Sequence, residues 1–340
     1  MLQEAIVEAL KDPDAYDEEV DYVKILQTHI SYVFLTGRYA YKIKKPVNFG
    51  FLDFTTLEKR KFYCEEELRL NRRLCGDMYI DVLPITLSGG SIRINGSGKT
   101  VEYTVKMKEL PQEALMSELL KKGRVNIDVM DEIAKILSNF HSKAETNKEI
   151  ESYGSLDIIK FNWDENFDQT REFIGRTISD RDYSFIYQTV QGFLRNRKDL
   201  INLRRRRGKI RECHGDLHSG NIFIADRIYI YDAIEFNKRF RYSDVASDIA
   251  FLIMDLEFMS KKNLSDRLLE RYVEYSGEKE DFLEILPFYK CYRAYVRGKV
   301  TSFKLNDPNI RGEEKEASKS IAEKYFKMSR EYAEQMFKPQ

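Results

Sequence analysis

Residues 28–47, THISYVFLTG followed by RYAYKIKKPV, are rich in β-branched and aromatic residues and break at Gly37. That pattern predicts a β-hairpin. Thr56, with Glu58 and a run of charged residues behind it, predicts a capped helix reaching Leu74. VLPITLS (82–88), SIRI (91–94) and VEYTVKM (101–107) read as strands joined by Gly-Gly and Asn-Gly turns. After KELP (108–111) the texture becomes helical. Helices are expected over 113–122, 126–143, 165–175 and 182–203. A β-rich island, NIFIADRIYIYD (221–232), interrupts them, and helices resume over 243–259, 264–276, 279–303 and 314–336. No repeat is present. The change of texture divides the chain into a β-rich lobe, 1–110, and a larger helical lobe, 111–340, in an α+β architecture.

Composition narrows the function classes. A 340-residue chain with 42% hydrophobic residues buries a substantial core, which excludes disorder as its main state. Lys+Arg and Asp+Glu both number 56, so the net charge is zero. That balance argues against a nucleic-acid partner. The one basic run, RRRRGK (204–209), reads either as a contact for RNA or an acidic surface, or as a complement to a helix C-terminus. The four cysteines form no CxxC pair, which excludes a zinc knuckle or a disulfide scaffold. VASDIAFLIMDLEFM (245–259) is the most apolar stretch, yet two aspartates interrupt it, so no membrane span is expected. The acidic start, MLQEAIVEALKDPD, does not read as a signal peptide. The expectation is a cytoplasmic protein.

The chemistry concentrates in CHGDLHSGNIFI (213–224) and IYIYDAIEF (228–236). Asn221 follows Asp216 by five positions, and Asp232 ends an apolar strand eleven positions later. Phosphoryl transfer needs a carboxylate beside the attacking hydroxyl and oxygen ligands for Mg2+. The order Asp, Asn, Asp is that of the protein-kinase pattern H-R-D-x-x-x-x-N followed by D-F-G. Here HGD replaces HRD and DAIEF replaces DFG. The combination resembles the aminoglycoside phosphotransferase and choline kinase superfamily of small-molecule kinases. YDAIEFNKRFRYSDVASDIAFLIMDLEF (231–258), KIKKPVNFGFLDFTTLEKR (42–60) and YRAYVRGKV (292–300) resemble a bacterial branch of it, whose longer members can carry an additional P-loop kinase domain.

The resemblance implies a bilobal protein-kinase-like fold. Its small β-rich N-lobe would bind nucleotide, and its helical C-lobe would carry catalysis and the acceptor. It implies transfer of the γ-phosphate of ATP, with Mg2+, to a hydroxyl of a small molecule. By the same resemblance Asp216 is the catalytic base or the group orienting the hydroxyl, Asn221 and Asp232 are the metal ligands, and His214 shapes the loop. The D-x-A-x-D-I-A pattern around Asp244 and Asp248 resembles support for the catalytic loop. Glu235 reads either as a lining of the site or as a salt-bridged support. His214 and His218 do not make a zinc pair, because Gly215 and Gly220 argue against the helix that spacing needs.

A kinase also needs a strand-borne lysine for the phosphates and a helical glutamate to hold it. Period-two alternation puts Ala40, Lys42 and Lys44 on one face. Tyr39-Ala40-Tyr41-Lys42 mimics V-A-I-K and favours Lys42, while Lys44 fits the related phosphotransferases as well. Of Glu65, Glu66 and Glu67, the resemblance implies Glu67, whose register to the strand YIDVLPI matches the superfamily best. VKMKELP (105–111) resembles the linker whose backbone meets the adenine, so Lys108, Glu109 and Leu110 are the candidates. No G-x-G-x-x-G is present; TGR (36–38) occupies that turn. GSGKT (96–100) is not a P-loop, because Arg93 stands where the first glycine belongs and strands flank it on both sides. Arg293 and Arg297, at i, i+4, suit a neutral or anionic acceptor such as a sugar or sugar acid, or else pair with Asp244 or Asp248 and brace the fold. Trp163 belongs either to the acceptor entrance or to the core. The alternatives are a catalytically inactive kinase-like scaffold, against which the full residue set argues, and a protein kinase.

Overall fold

The computed structural model describes residues 2–337. In chain order it has α1 (Leu2–Ala9), β1 (Lys24–Gln27), β2 (Ser31–Leu35), β3 (Tyr39–Lys44), α2 (Leu57–Cys75), β4 (Tyr79–Ser88), β5 (Ser91–Ile94) and β6 (Lys99–Lys108). The helices α3 (Met116–Lys121), α4 (Ile127–Lys143), α5 (Lys148–Ser152), α6 (Leu156–Thr170), α7 (Asp180–Asn196) and α8 (Lys198–Arg206) follow. Next come β7 (Ile210–Glu212), β8 (Ile222–Ile224), β9 (Ile228–Ile230), α9 (Lys238–Arg241) and β10 (Tyr242–Asp244). The last helices are α10 (Val245–Phe258), α11 (Lys262–Ser276), α12 (Glu280–Phe303) and α13 (Gly312–Ala333).

The chain forms two compact units. The first takes the residues up to Leu119 together with Gly220–Phe240; the second takes Leu120–Ser219 and the residues from Arg241 onward. The sequence division at residue 110 puts the β8–β9 hairpin with the helical part. In the structure its Phe223 and Tyr229 pack with Cys75, Met107 and Leu110, which places it in the first unit.

The first unit is built on an antiparallel sheet ordered β1-β2-β3-β6-β4-β5. The β2–β3 turn closes at Gly37, whose φ of 88° suits a residue without a Cβ. One sheet face carries Ala40 and Val105 against Cys64 and Cys75 of α2. The other carries Phe34, Tyr41 and Ile43 against Ile6 of α1, Leu10 and Tyr16. This short first helix is an addition to the elements expected from sequence. Thr56 caps α2, its hydroxyl accepting the Lys59 N–H at 3.3 Å. Along α2 the buried positions Arg60, Cys64, Glu67, Asn71 and Cys75 recur at helical spacing, so Glu67 faces inward with the apolar stripe.

The second unit is helical, with α10 at its centre. Every residue from Val245 to Leu256 in that helix is buried, because α11 and α12 pack against it. Asp244 caps α10 by accepting the Ala246 N–H at 2.9 Å, and its own strand pairs with β7. Two helix expectations are corrected. The segment 182–203 is not one helix: it divides at Arg197, which takes φ −117° and ψ 20° between α7 and α8. The helix expected at 165 begins at Leu156, after a Ser155 cap that the adjacent Gly154 disguises. Among the described residues, no helix is long and apolar enough to cross a membrane.

Candidate active site

In the first unit, strand alternation on β3 turns Lys42 and Lys44 to the same face, and Glu67 comes up between them from α2. Its two oxygens are divided. Oε1 accepts from Lys42 Nζ at 2.7 Å and Oε2 from Lys44 Nζ at 2.7 Å. Lys42 Nζ also donates to Asp232 Oδ1 at 2.8 Å, and Lys44 is ion-paired to Glu235. Burial alone pushes the Glu67 carboxyl up, but the two ammonium groups outweigh it and hold its pKa down, to about 2. Burial likewise pulls both lysines down. The carboxylates of Asp232 and Glu67 on Lys42, and of Glu235 and Glu67 on Lys44, reverse this and raise both.

The two lysines are not equivalent. Lys44 is 1% exposed, enclosed by two carboxylates and the Phe54 ring 4.9 Å away. Lys42 is bonded to the Asp232 carboxylate, whose side chain is 43% exposed. Asp232 sits at the end of β9 with φ 63°, a conformation rare for a non-glycine residue. Its turn is fastened by α2, since Asn71 Oδ1 accepts the Ala233 N–H at 2.9 Å and Asn71 Nδ2 donates to Glu67 O at 2.8 Å. Across the hairpin, the Tyr231 N–H donates to Asn221 O at 3.0 Å, which registers Asn221 beside the Asp232 turn.

The linker after β6 is tied to the β2–β3 turn. The Glu109 N–H donates to Arg38 O at 3.0 Å, and the Glu109 carboxylate accepts the Gly37 N–H at 2.7 Å. Leu110 is buried in the core beside Met107, and Lys108 pairs with Tyr39 across the sheet.

In the second unit, the loop 213–219 is held by buried charge. Asp248 accepts the N–H groups of His214 and Gly215, at 2.7 and 2.9 Å. Arg293 donates to Gly215 O at 2.8 Å and to Ser247, and Asp255 accepts the Ser219 N–H at 2.8 Å. Behind Asp248 stands His141, 3.4 Å from the carboxylate and 2.9 Å from the Tyr272 hydroxyl. Within this frame the Asp216 N–H donates to His214 Nδ1 at 3.3 Å, and the Asp216 carboxylate stands 3.4 Å from His218 Nε2. Burial pushes Asp216 up, but His218 and Arg297 hold it well below the usual carboxylate range. Asp216 in turn raises His218 against the downward pull of burial.

No protein-family model matches the chain. Proteins of Mycobacterium tuberculosis and Mycobacterium bovis, both described as uncharacterized, are 32% identical over 280 residues, which is 82% of this chain and 54% of theirs. The chain thus spans about half the length of these curated relatives. Among solved structures, the amicoumacin kinase hAmiN bound to AMP-PNP, Ca2+ and Ami matches with a TM-score of 0.52 at 11% identity, over 96% of this chain and 93% of that one. A microcompartment-associated aminopropanol kinase matches at 0.51 and 12%, over 97% of each. A choline/ethanolamine kinase family protein from Mesorhizobium loti matches at 0.50 and 14%, over 97% and 100%. The chain shares its bilobal kinase-like fold with these solved structures.

Within that kinase-like fold, the residues chosen from sequence fall into two groups. Lys42, Lys44, Glu67 and Asp232 form one bonded cluster, with Asn221 across the hairpin. Asp216 belongs to the second unit and its own network. Arg293 is bonded to the 213–219 loop and braces it. The arginine on Asp244 is instead Arg204 of the basic run, fully buried, with Nε and Nη2 each 2.7 Å from the carboxylate and Nη1 on Glu278 and Asp281. Arg207 and Lys209 meet Asp281 and Glu278 as well, so an acidic cluster takes up much of the run that sequence reading left open to RNA. Trp163 is wholly buried among Phe167, Phe288 and Tyr295, which makes it core. Sequence reading missed Asn71 and His141. Each is a polar residue on the buried stripe of its helix, and that inward placement was the available signal.

Proposed function

We propose that this protein is an ATP-dependent phosphotransferase that moves the γ-phosphate of MgATP to a hydroxyl of a small molecule. The observation that carries the reading is the cluster in the first unit. A glutamate on α2 holds the β3 lysine, and that lysine meets the half-exposed Asp232 beside Asn221. A carboxylate and an amide oxygen are hard donors that suit Mg2+, so Asn221 and Asp232 would hold the metal, which neutralises phosphate charge when bound. Lys42 is placed to exchange its Asp232 contact for phosphate oxygens. The nucleotide analogue and Ca2+ named for the amicoumacin kinase complex support a nucleotide with a divalent cation.

Asp216 would receive or orient the acceptor hydroxyl. Its carboxylate, held low by His218 and Arg297, is ionised at neutral pH and can accept a hydrogen bond from that hydroxyl. Arg293 is committed to the loop, which leaves Arg297 as the cation that favours a neutral or anionic acceptor such as a sugar or sugar acid. The backbone from Lys108 to Leu110 would meet the adenine, but the Glu109 amide is already bonded to Arg38, so its neighbours carry that contact.

One feature favours a nucleotide-binding protein without turnover. The Gly37 amide, in the turn where protein kinases cover the phosphates, is bonded to the Glu109 carboxylate. The test is incubation of the purified protein with MgATP and a metabolite pool, read by mass spectrometry for species gaining one phosphate. A gained phosphate that requires Asp216 supports the transferase. Nucleotide binding with no transfer to any acceptor favours the second reading.

A further inference from the structure

The protein-kinase pattern needs one strand lysine and one helical glutamate. This cluster holds a second lysine and a third carboxylate. Lys44 and Glu235 are both buried, and a buried ion pair is not in itself stabilising. Their contacts connect two things that metal binding needs held still. Lys44 fixes Glu67 Oε2, so that the other oxygen points at Lys42. It also holds Glu235, three residues beyond Asp232.

The Asp232 turn is therefore pinned twice, at Ala233 by Asn71 of α2 and at Glu235 by Lys44 of β3. Its left-handed φ of 63° is of the kind that persists only where the surroundings over-determine it. Asp232 itself is left half-exposed, whereas the Glu235 side chain is 5% exposed and its carboxylate is taken by Lys44.

We propose that Lys44 and Glu235 are positioning residues. Together they set the Glu67 carboxylate and the Asp232 turn for the metal–nucleotide complex, and Glu235 is not itself a metal ligand. This rests on the reading that the cluster binds MgATP.

The test is calorimetric titration with ATP at rising Mg2+, on the parent, Asp232→Asn, Lys44→Met, Glu235→Gln and the double variant Lys44→Met/Glu235→Gln, with melting temperature measured in parallel. Lys44→Met and Glu235→Gln each strand a buried charge and melt earlier. The double variant removes both charges and recovers stability, which separates folding from positioning. In the double variant, the Mg2+ concentration for half-maximal enhancement of ATP binding rises about 10- to 100-fold, the range for groups that orient metal ligands.

A double variant with the parent's Mg2+ dependence overturns the proposal. So does a Glu235→Gln variant that loses all metal enhancement, as Asp232→Asn does, because Glu235 would then be a ligand. A parent that shows no Mg2+-dependent ATP binding withdraws the phosphotransferase reading, and this proposal with it.

Discussion

One oxygen of the Asp248 carboxylate accepts the His214 backbone N–H at 2.7 Å, and the other accepts that of Gly215 at 2.9 Å. The loop before Asp216 is thus held from a helix that begins after the whole β8–β9 hairpin. Burial pushes Asp248 up, but the His141 hydrogen bond and the charges of His214 and Arg293 hold it down, at about 2. A carboxylate depressed below its ordinary value near 4 stabilises the fold above that value and loses the contribution as pH falls toward 2. The contribution is on the order of 2 kcal/mol. Urea unfolding of Asp248→Asn should show about this loss at pH 7, narrowing between pH 5 and pH 3. A loss that is the same at both ends would show that the charge is not its source.

Lys42 faces Asp232, and Lys44 is enclosed. Lys42→Ala should weaken ATP binding by more than about tenfold, worth about 1.4 kcal/mol, whereas Lys44→Ala should act mainly on stability and metal dependence. Equilibrium dialysis with labelled ATP at fixed Mg2+ decides between them. The reverse order would transfer the phosphate contact to Lys44.

Asp216 is proposed to act on the acceptor. Asp216→Asn keeps size and shape and removes the charge. Nucleotide affinity should stay within a few-fold of the parent, while transfer, or slow ATP hydrolysis, falls by roughly 10²–10⁴, the range for general acid–base contributions. Coupled-assay rates equal to the parent's would remove Asp216 from the mechanism.

Arg204 and Arg206 stand two apart in the same basic run with opposite roles. Arg204 is buried on Asp244, Glu278 and Asp281, while Arg206 is exposed. Arg204→Met leaves three buried carboxylates short of a partner and should cost about 3–5 kcal/mol. Arg206→Ala should change stability by no more than about 0.5 kcal/mol. Chemical denaturation of both variants tests the pair, and comparable losses would contradict the burial contrast.

Much of the site was legible because its spacing is local. Ala40, Lys42 and Lys44 had to share a face once β3 was a strand, and Thr56 had to open α2 where its hydroxyl meets Lys59. Glu67 was legible through the resemblance, by its register to YIDVLPI, and in the structure it lies inward with Cys64 and Cys75. Asp232 was legible as the end of a strand after a tight hairpin. The helix boundary at Arg197 was not, because nothing in the local composition there marks a stop. Nor was α1, whose short apolar stripe acquires its meaning only from the sheet face it covers.

The sequence by itself determined which residue types stand on which face of which element, and so the α+β class and the candidate residues. Only the tertiary structure decided what each charge is bonded to. Lys42 and Lys44 are alike in alternation, and Glu235, 191 positions beyond Lys44, separates them by closing one off. Arg204 reads in sequence as part of a basic run open to RNA, an acidic surface or a helix C-terminus, and only the structure brings Asp244, Glu278 and Asp281 onto it. The reason is physical: periodicity sets the direction of a side chain relative to its own backbone, whereas an ion pair depends on where a second, distant segment packs.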